Sequence, residues 1–231
     1  MTNGIGSTEV APTNIRLNAV QAPATTQNIS WFAAPDYTAR NAVVQYTTEE
    51  AYISGNYSFT TVQGTSTVRS FTDGYQASLV NSVTLTGLTP ATTYSYRVGD
   101  GVEGHWSDVR TFTTAESGAE TSFFVMGDTQ LSGNVEADAA DIEVIHQIAE
   151  AIGNANTDFG IQTGDFIDNA GSLTAWNEIL DVFSDDFPAS SIVQVLGNHE
   201  YYGDLSGGHA MNIFGTPDAD YYSVEYGNVY I

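Results

Sequence analysis

Cysteine and lysine are both absent from the 231-residue sequence, and its strong cations are five arginines. Without cysteine, neither disulfide bonds nor thiolate chemistry can contribute to the fold or to an activity. Against the five cations stand 28 acidic residues, which gives a formal net charge of -23. Nucleic acids and anionic membranes are bound through Lys and Arg side chains that neutralise phosphates, so this balance predicts neither as a partner.

The sequence also has no apolar run of roughly 18 residues, so it predicts no membrane-spanning helix. Residues 1–8, MTNGIGST, contain neither a charged nor an apolar region of the kind that opens an export signal. We interpret them as a flexible lead-in. The acidic surface suits a saline or extracellular setting, although solubility alone would also explain it. We expect an extracellular or cell-surface location, with an export signal that this sequence does not carry.

Residues 9–114 consist of short apolar and polar alternations separated by turn residues. One such run places Tyr94, Tyr96 and Val98 on the same face of a strand. Alternation with a period of two is typical of half-buried strands, and no helical period competes with it in this half of the sequence. We therefore expect an all-β antiparallel sandwich of roughly seven strands.

Four features of this half resemble the fibronectin type III sandwich. They are Trp31 early in the sequence, the Leu88-Thr89-Pro90 turn, Tyr94 shortly after that turn, and the closing run Arg110-Thr111-Phe112-Thr113-Thr114. The resemblance covers about 100 residues. It implies that Tyr94 occupies the tyrosine corner of such a domain.

Residues 115–121 lie in the polar stretch TAESGAET, which lacks periodicity and is interpreted as a linker. Residues 122–231 then combine apolar runs with helical periods. The predicted strands cover 122–126, 159–163 and 191–196, and the predicted helices cover 138–152, with a stop at Gly153-Asn154, and a segment with Trp176, Leu180 and Phe183 on one face. This βαβαβ order favours parallel strands with right-handed crossovers. The predicted fold class is a β-sandwich followed by an α/β domain.

Polar residues follow each of the three predicted α/β strands. Asp128 and Asp165 each come directly after a glycine, and Asn198 occupies the same place after the third strand. In open α/β sheets, ligands bind outside the carboxyl ends of the strands, so these side chains should meet. Two converging carboxylates repel each other unless a cation lies between them. Amide oxygens of Asn198 and Gln130 would complete an oxygen-rich site that suits Mn, Fe, Mg or Ca.

A turn or a helix cap is the structural alternative for any one aspartate that follows a glycine. Three such motifs at successive strand ends favour the cation site instead. His199 has a separate predicted role, because its ring could hydrogen-bond a phosphoryl oxygen or protonate a leaving alkoxide. Glu200 could orient that ring or could be a solvated acid.

Three ordered blocks on these strands resemble the calcineurin-like metallophosphoesterases: Gly127-Asp128, Gly164-Asp165 and Gly197-Asn198-His199-Glu200. Together with the preceding fibronectin-like half, the combination resembles the purple acid phosphatases. The run Tyr221–Ile231 also resembles the strand that follows the third block in that family.

The resemblance implies a centre of two divalent or trivalent metal ions, Fe, Mn or Zn. By position, Asp128 would bind the first metal, Asp165 would bridge both, and Asn198 would bind the second. A metal-bound hydroxide would attack phosphorus while His199 assists the phosphoryl group. The reaction implied is phosphoric ester hydrolysis of the acid phosphatase or phosphodiesterase type, on a phosphorylated small molecule or a phosphoprotein.

Two positions depart from that pattern. Gln130 stands where other relatives have histidine and the purple enzymes have glycine, and it could bind metal through its amide oxygen. Asp168 stands where the purple enzymes have the tyrosine that colours them. Asp168 could replace that ligand, but Asp168-Asn169-Ala170-Gly171 also has the composition of a turn, and both interpretations stay open.

The later histidine ligands of that family have no counterpart in this sequence. His209, in the glycine-rich run Gly203–His209, is interpreted as a loop residue near the substrate mouth. We therefore expect the α/β part to be the N-terminal half of such a domain, truncated at its C-terminus and inactive alone.

Two alternatives to the enzyme remain. A fibronectin-like sandwich joined to a degenerate phosphoesterase domain could be a non-catalytic carbohydrate- or protein-binding module, with a cell-surface or carbohydrate contact made through the β-sandwich. A single structural Ca or Mg ion at the strand ends is a further possibility.

Overall fold

The computed structural model describes residues 11–33, 41–73, 77–116, 118, 120–155, 157–187, 189–216 and 221–231. The predicted lead-in, residues 1–8, lies outside them. In chain order the strands are β1 (Thr13–Asn18), β2 (Thr26–Ala33), β3 (Val43–Thr48), β4 (Thr60–Gln63), β5 (Thr65–Ser70), β6 (Ala77–Thr86), β7 (Thr93–Gly99), β8 (Arg110–Thr113), β9 (Phe123–Met126), β10 (Phe159–Gln162), β11 (Ser191–Gln194), β12 (Glu225–Tyr226) and β13 (Val229–Tyr230).

Helices occupy four described segments, with one 3₁₀ turn between the last two. They are α1 (Glu49–Ser54), α2 (Val135–Ala155), α3 (Leu173–Asp186) and α4 (Gly208–Ile213), and the 3₁₀ turn is His199–Tyr201. No helix in the described ranges has both the length and the apolar character that crossing a bilayer requires.

The first half of the chain is a two-layer arrangement of strands. One layer is the sheet β4-β3-β7-β8, and the other contains β5-β6-β2-β1. Tyr94, Tyr96 and Val98 of β7 are all buried in the core between the layers, as their alternation predicts. The hydroxyl of Tyr94 accepts a hydrogen bond from the backbone N–H of Thr89 at 2.9 Å. This is the contact that a tyrosine corner makes with the backbone a few residues upstream.

A short helix interrupts this half, so the expectation of an uninterrupted β pattern is wrong there. The side chain of Thr48 accepts from Ala51 N at the start of α1, and two acids occupy the first turn. Gly55, with φ of 72°, ends the helix in the left-handed conformation. These are ordinary helix start and stop signals, and they act over a segment too short to show a helical period.

The second half has the predicted βαβαβ order. β9, β10 and β11 pair in parallel, with Phe123 opposite Phe159 and Phe159 opposite Ser191. The predicted limits were wrong at several ends: β10 and β11 are shorter, and α2 begins at Val135 and continues through Ala155, past the predicted stop. The side chains of α3 that were predicted to share a face, Trp176, Leu180 and Phe183, are all buried.

One seven-stranded sheet runs through both halves of the chain. β1 pairs in parallel with β11, with Leu17 opposite Ser191, so the strand order is β5-β6-β2-β1-β11-β10-β9. Residues 115–121 separate the two patterns in sequence, but no gap separates them in this sheet. Trp31 and Phe32, on opposite faces of β2, are buried in different cores. The helices of the second half therefore cover the sheet face that a free sandwich would expose.

Two further predicted features differ in the structure. The run Tyr221–Ile231 does not form one strand, because Gly227, with φ of 57°, turns it into the hairpin β12–β13. His209 lies in α4 rather than in a loop. Its ring contacts Asp204 at 2.6 Å and the carbonyl of Ser70 at 3.1 Å, so it ties α4 to the sandwich.

Candidate metal centre

The candidate site lies at the carboxyl ends of β9, β10 and β11. Because the three strands are parallel and in register, the turns that follow them meet at one edge of the sheet. The backbone N–H of Asp128 donates to the carbonyl of Gly164 at 3.1 Å, and that of Gln130 donates to the carbonyl of Asp165 at 3.0 Å. These backbone bonds hold the first two turns together.

Three of the predicted ligands adopt the left-handed backbone conformation, which residues other than glycine rarely occupy. The φ angles are 55° at Asp128, 43° at Gln130 and 54° at Asp165. Left-handed residues of this kind are concentrated at functional sites, where the surrounding structure maintains the strain. Here the strained backbone turns each side chain away from its strand.

Glycine is required where the second and third turns of the site meet. A Cβ on Gly164 would overlap the backbone of Gly197, and a Cβ on Gly197 would overlap Oδ1 of Asp165. The second and third turns therefore contact each other backbone to backbone. This close packing is the physical reason for a glycine before each polar residue.

Gln130 lies between the two predicted acidic ligands. Its Nε2 is 3.5 Å from Oδ1 of Asp128 and 3.5 Å from Oδ2 of Asp165, at the outer limit of a hydrogen bond. One amide nitrogen is thus shared by two carboxylates. A half-turn of the amide would present its oxygen at the same place, where a cation would accept it as a ligand.

Glu200 carries a role that the sequence did not reveal, since it is neither a solvated acid nor a partner of the imidazole. Its side chain is fully buried. Oε2 accepts from the N–H groups of Asp165 at 2.8 Å and Gly197 at 2.7 Å, and Oε1 accepts from Phe166 at 2.8 Å. Its carboxylate therefore joins the second turn to the third from beneath the site.

His199 is oriented from both sides. The backbone N–H of His199 donates to Oδ1 of Asp165 at 2.9 Å. Its ring Nδ1 lies 2.8 Å from the carbonyl oxygen of Asp168. A carbonyl can only accept, so Nδ1 carries a proton and Nε2 is the free ring nitrogen. The ring also lies against Tyr202, whose hydroxyl accepts from the Asn198 amide at 3.0 Å.

Asp168 lies in the turn that one of its two interpretations predicts, and its role as a metal ligand stays a prediction. Its neighbour Asn169 accepts from Gly171 N at 2.8 Å, which is the hydrogen bond of a turn. The Asp168 carboxylate is more than half exposed and lies 3.3 Å from His199 Nδ1. Asp168 therefore borders the site through His199.

A pair of buried glutamines supports the site from below and was missed by sequence reasoning. Gln162 and Gln194 are opposite each other at the ends of β10 and β11, and Gln194 Nε2 donates to Gln162 Oε1 at 3.0 Å. Gln162 also bonds Gly164 through both its amide nitrogen and its amide oxygen. The available signal was the identical residue at the last position of two adjacent strands.

The donor set can be compared with the metal centre that the resemblance implies. Among the described residues, no group of three or more His, Cys, Asp or Glu side chains is placed to hold a metal ion. The carboxylates of Asp128 and Asp165 converge on the Gln130 amide, and Asn198 lies in the adjoining third turn. No ion pair within the described part of the chain involves Asp128 or Asp165. These residues fit one hard cation with oxygen ligands.

Residues 12–114 match the family model of the purple acid phosphatase N-terminal domain. This region corresponds to the sandwich that was predicted over residues 9–114. A search of curated proteins found no match by sequence.

The whole chain resembles two solved structures in fold. A purple acid phosphatase, PPD1, from seeds of yellow lupin (Lupinus luteus) superposes with a TM-score of 0.71 at 18% identity, over 94% of this chain and 43% of that one. A PhoD structure superposes with a TM-score of 0.54 at 12% identity, over 94% of this chain and 48% of that one. The chain thus spans less than half the length of either protein, and both likenesses extend through the α/β part.

Proposed function

We propose that this chain contributes the first part of a metal-dependent phosphoric ester hydrolase site, with Asp128 and Asp165 as metal ligands. The observation that carries the proposal is that the carboxylates of Asp128 and Asp165 both lie 3.5 Å from the same atom, Nε2 of Gln130. No cationic side chain in the described residues is paired with either acid, so a cation bound between them would relieve their mutual repulsion. The likenesses to phosphatases support the choice of reaction.

The proposed ligand roles follow the chain. Asp128, Asp165 and the Gln130 amide oxygen would hold the one cation that the described residues fit. In the two-ion centre that the resemblance implies, Asp165 would serve both ions and Asn198 the second, with Asp168 as a further candidate. Fe, Mn and Zn are the proposed ions. When bound, such ions lower the pKa of water to give a hydroxide nucleophile and neutralise charge on the phosphoryl group.

The proposed role of His199 depends on its free Nε2. Because Nδ1 donates to the Asp168 carbonyl, protonation places the second proton on Nε2. An imidazolium at that position would donate to a phosphoryl oxygen or to the leaving alkoxide.

Mn²⁺ binding by the 231-residue chain tests the metal site directly. We expect Asp128→Asn and Asp165→Asn each to weaken Mn²⁺ binding at least roughly tenfold, because each removes a charged ligand. Asp141→Asn is the matched control, since it removes the same charge from an exposed position on α2 and should leave binding unchanged. Electron paramagnetic resonance of free Mn²⁺ gives the measurement. Equal affinity in all four proteins would contradict the proposal.

Hydrolysis is tested separately, with p-nitrophenyl phosphate as the probe. The chain spans 43% of the lupin enzyme, so metal binding rather than turnover decides whether the site exists here. If Mn²⁺ raises the unfolding temperature without any hydrolysis in the longest natural protein, the single structural cation is favoured over the enzyme. The proposed substrates are phosphorylated small molecules or phosphoproteins, and the proposed location is extracellular or at the cell surface.

A further inference from the structure

A polar groove of about 600 Å³ lies between the sandwich and α4, formed by residues outside the proposed metal centre. Its floor is the outer face of β5, β6 and β2. Hydroxyl side chains make up much of that floor: Thr65 and Thr67 from β5, and Ser82 and Thr84 from β6. Such a surface can hydrogen-bond a polar small molecule at many points but offers little apolar area for a lipid or a hydrophobic peptide.

Strand alternation explains the composition of the floor. Thr65, Thr67 and Arg69 occupy alternate positions of β5, so they project from the same face of the strand. Thr65 is opposite Ser82 on β6, which extends the polar strip to the neighbouring strand. The polar strip lies on the same face of the sheet that packs against α4, although a face that packs against a helix is usually apolar.

The hydroxyls on β6 are held ready to donate. Asn28 Nδ2 donates to Ser82 Oγ at 3.0 Å and to Thr84 Oγ1 at 2.9 Å. Each hydroxyl therefore accepts one bond from the protein and keeps its own proton for another acceptor. Pre-oriented donors of this kind suit the oxygen atoms of a polyhydroxylated ligand.

Arg69 differs from the other described arginines because its guanidinium has no hydrogen-bond or ion-pair partner among the described residues. Arg16 donates to the carbonyls of Asn14 and Ile213, Arg97 donates to Gln45, and Arg110 donates to the carbonyl of Ser184. Arg69 forms no hydrogen bond or ion pair with any residue in the described ranges, and its Nε is buried without a partner. A buried donor left without a partner is costly, so a ligand is the expected acceptor.

We propose that this groove binds a sugar carboxylate, with Arg69 pairing the carboxylate and the hydroxyl strip binding the ring hydroxyls. The guanidinium fork matches a planar carboxylate in a bidentate arrangement. One cation also balances a monoanion, whereas a phosphate dianion would bring an unpaired charge to a chain of net charge -23. A neutral sugar would leave Arg69 without its partner.

Asp204, an acid close to the groove residue Gly208, is already engaged. Asp204 accepts hydrogen bonds from the Ser206 hydroxyl at 2.7 Å and from the His209 backbone N–H at 2.6 Å. Its carboxylate also contacts the His209 ring. These bonds lower the pKa of Asp204 in spite of its burial, so it stays ionised without using Arg69. The guanidinium is therefore available to a ligand.

Titration calorimetry with D-glucuronate tests the proposal, with D-glucose and acetate as comparison ligands. We expect saturable glucuronate binding, and at least about tenfold weaker binding of glucose, which lacks the charge, and of acetate, which lacks the hydroxyls. Arg69→Gln should weaken glucuronate binding by about tenfold or more. Arg97→Gln is the control, because it removes the same charge from β7, outside the groove. It should leave glucuronate binding unchanged.

A second variant separates the hydroxyl strip from the charge. Thr67→Val keeps the shape of the side chain and removes one donor, so it should weaken glucuronate binding while leaving acetate binding as it was. Circular dichroism confirms that each variant is folded. The proposal is overturned by a lack of saturable glucuronate binding, by equal losses in Arg69→Gln and Arg97→Gln, or by inorganic phosphate binding more tightly than glucuronate. None of these outcomes affects the Mn²⁺ test of the metal centre.

Discussion

The carboxylate of Glu200 accepts the backbone N–H of Asp165 at 2.8 Å, although the two residues are 35 positions apart. The same carboxylate also binds Phe166 and Gly197, so one buried acid closes the contact between two strand-end turns. Asp165 is thus held through its backbone by Glu200 and through Oδ1 by the backbone N–H of His199, and its Oδ2 faces Gln130 at the site.

Replacing Glu200 with glutamine should destabilise the protein by about 2–4 kcal/mol. An amide NH₂ would face backbone N–H groups that now donate to a carboxylate oxygen, so at least one donor loses its acceptor. Urea unfolding measures the change. Glu150→Gln, at an exposed position of α2, is the control and should stay within about 0.5 kcal/mol of the parent. A loss of less than about 0.5 kcal/mol in Glu200→Gln would show that the three hydrogen bonds contribute little to stability.

Gly197→Ala should both destabilise the protein and weaken Mn²⁺ binding. The new methyl group would overlap Oδ1 of Asp165, which must move, at a cost of about 1–3 kcal/mol. Gly153→Ala in α2 meets no atom within 4 Å and should instead stabilise the helix by about 0.5–1 kcal/mol. In urea unfolding, we expect Gly197→Ala to lower the free energy of unfolding and Gly153→Ala to raise it. Only Gly197→Ala should weaken Mn²⁺ binding. A shared sign would count against this account.

Glu178 should make stability fall as the pH rises toward neutrality. Burial and the adjacent Asp138 carboxyl raise the pKa of Glu178 from 4.5 to about 7. A carboxyl with a raised folded pKa binds more protons in the folded state, so stability declines between about pH 4.5 and 7 and stays lower above that. The backbone N–H of Gly133 acts in the opposite direction, but burial and the contact with Asp138, to which a protonated Glu178 can donate, outweigh it.

Glu178→Gln should therefore remove most of that decline, since the amide is neutral at every pH. Thermal unfolding from pH 4 to 8 compares the variant with the parent, and the stability gap should widen in favour of the variant toward pH 8. Glu143→Gln, an exposed acid on α2, serves as the control. Parallel pH profiles for Glu178→Gln and the parent would refute the assignment.

Asp73→Asn should weaken the contact between the two halves of the chain. The Asp73 carboxylate accepts from the Ser172 hydroxyl at 2.9 Å and from the N–H groups of Leu173 at 2.9 Å and Thr174 at 3.0 Å, so a sandwich residue caps α3. We expect a loss of about 1 kcal/mol in urea unfolding, as for other helix caps. Asp108→Asn, an exposed change in the sandwich half, should be neutral.

The effect of Asp73 should also depend on pH. Although burial acts to raise it, the hydrogen bonds from α3 lower the pKa of Asp73 below its ordinary 3.8. A depressed folded pKa gives stability that is complete above the unfolded value and is lost as the pH falls through the folded one. The difference between parent and variant should thus shrink below about pH 3.8. An unchanged difference there would contradict the cap.

Much of the fold was predictable because it depends on local periodicity. The alternation at Tyr94, Tyr96 and Val98 and the apolar face of α3 were both confirmed as buried. The parallel order of β9, β10 and β11 follows from their helical crossovers. Ends of elements were less predictable: α1 depends on a single capping residue, and Gly227 splits the C-terminal run into a hairpin.

The sequence by itself determined which polar residues the strand ends carry, because Asp128, Asp165 and Asn198 follow glycines after apolar runs. Only the tertiary structure decided that Glu200 is buried beneath them, that β1 joins β11 in one sheet, and that Arg69 Nε is buried without a partner in the described part of the chain. The physical reason is the same in each case. Whether an acid is solvated, an edge is paired or a cation is satisfied depends on atoms that are distant in sequence, and no local pattern records them.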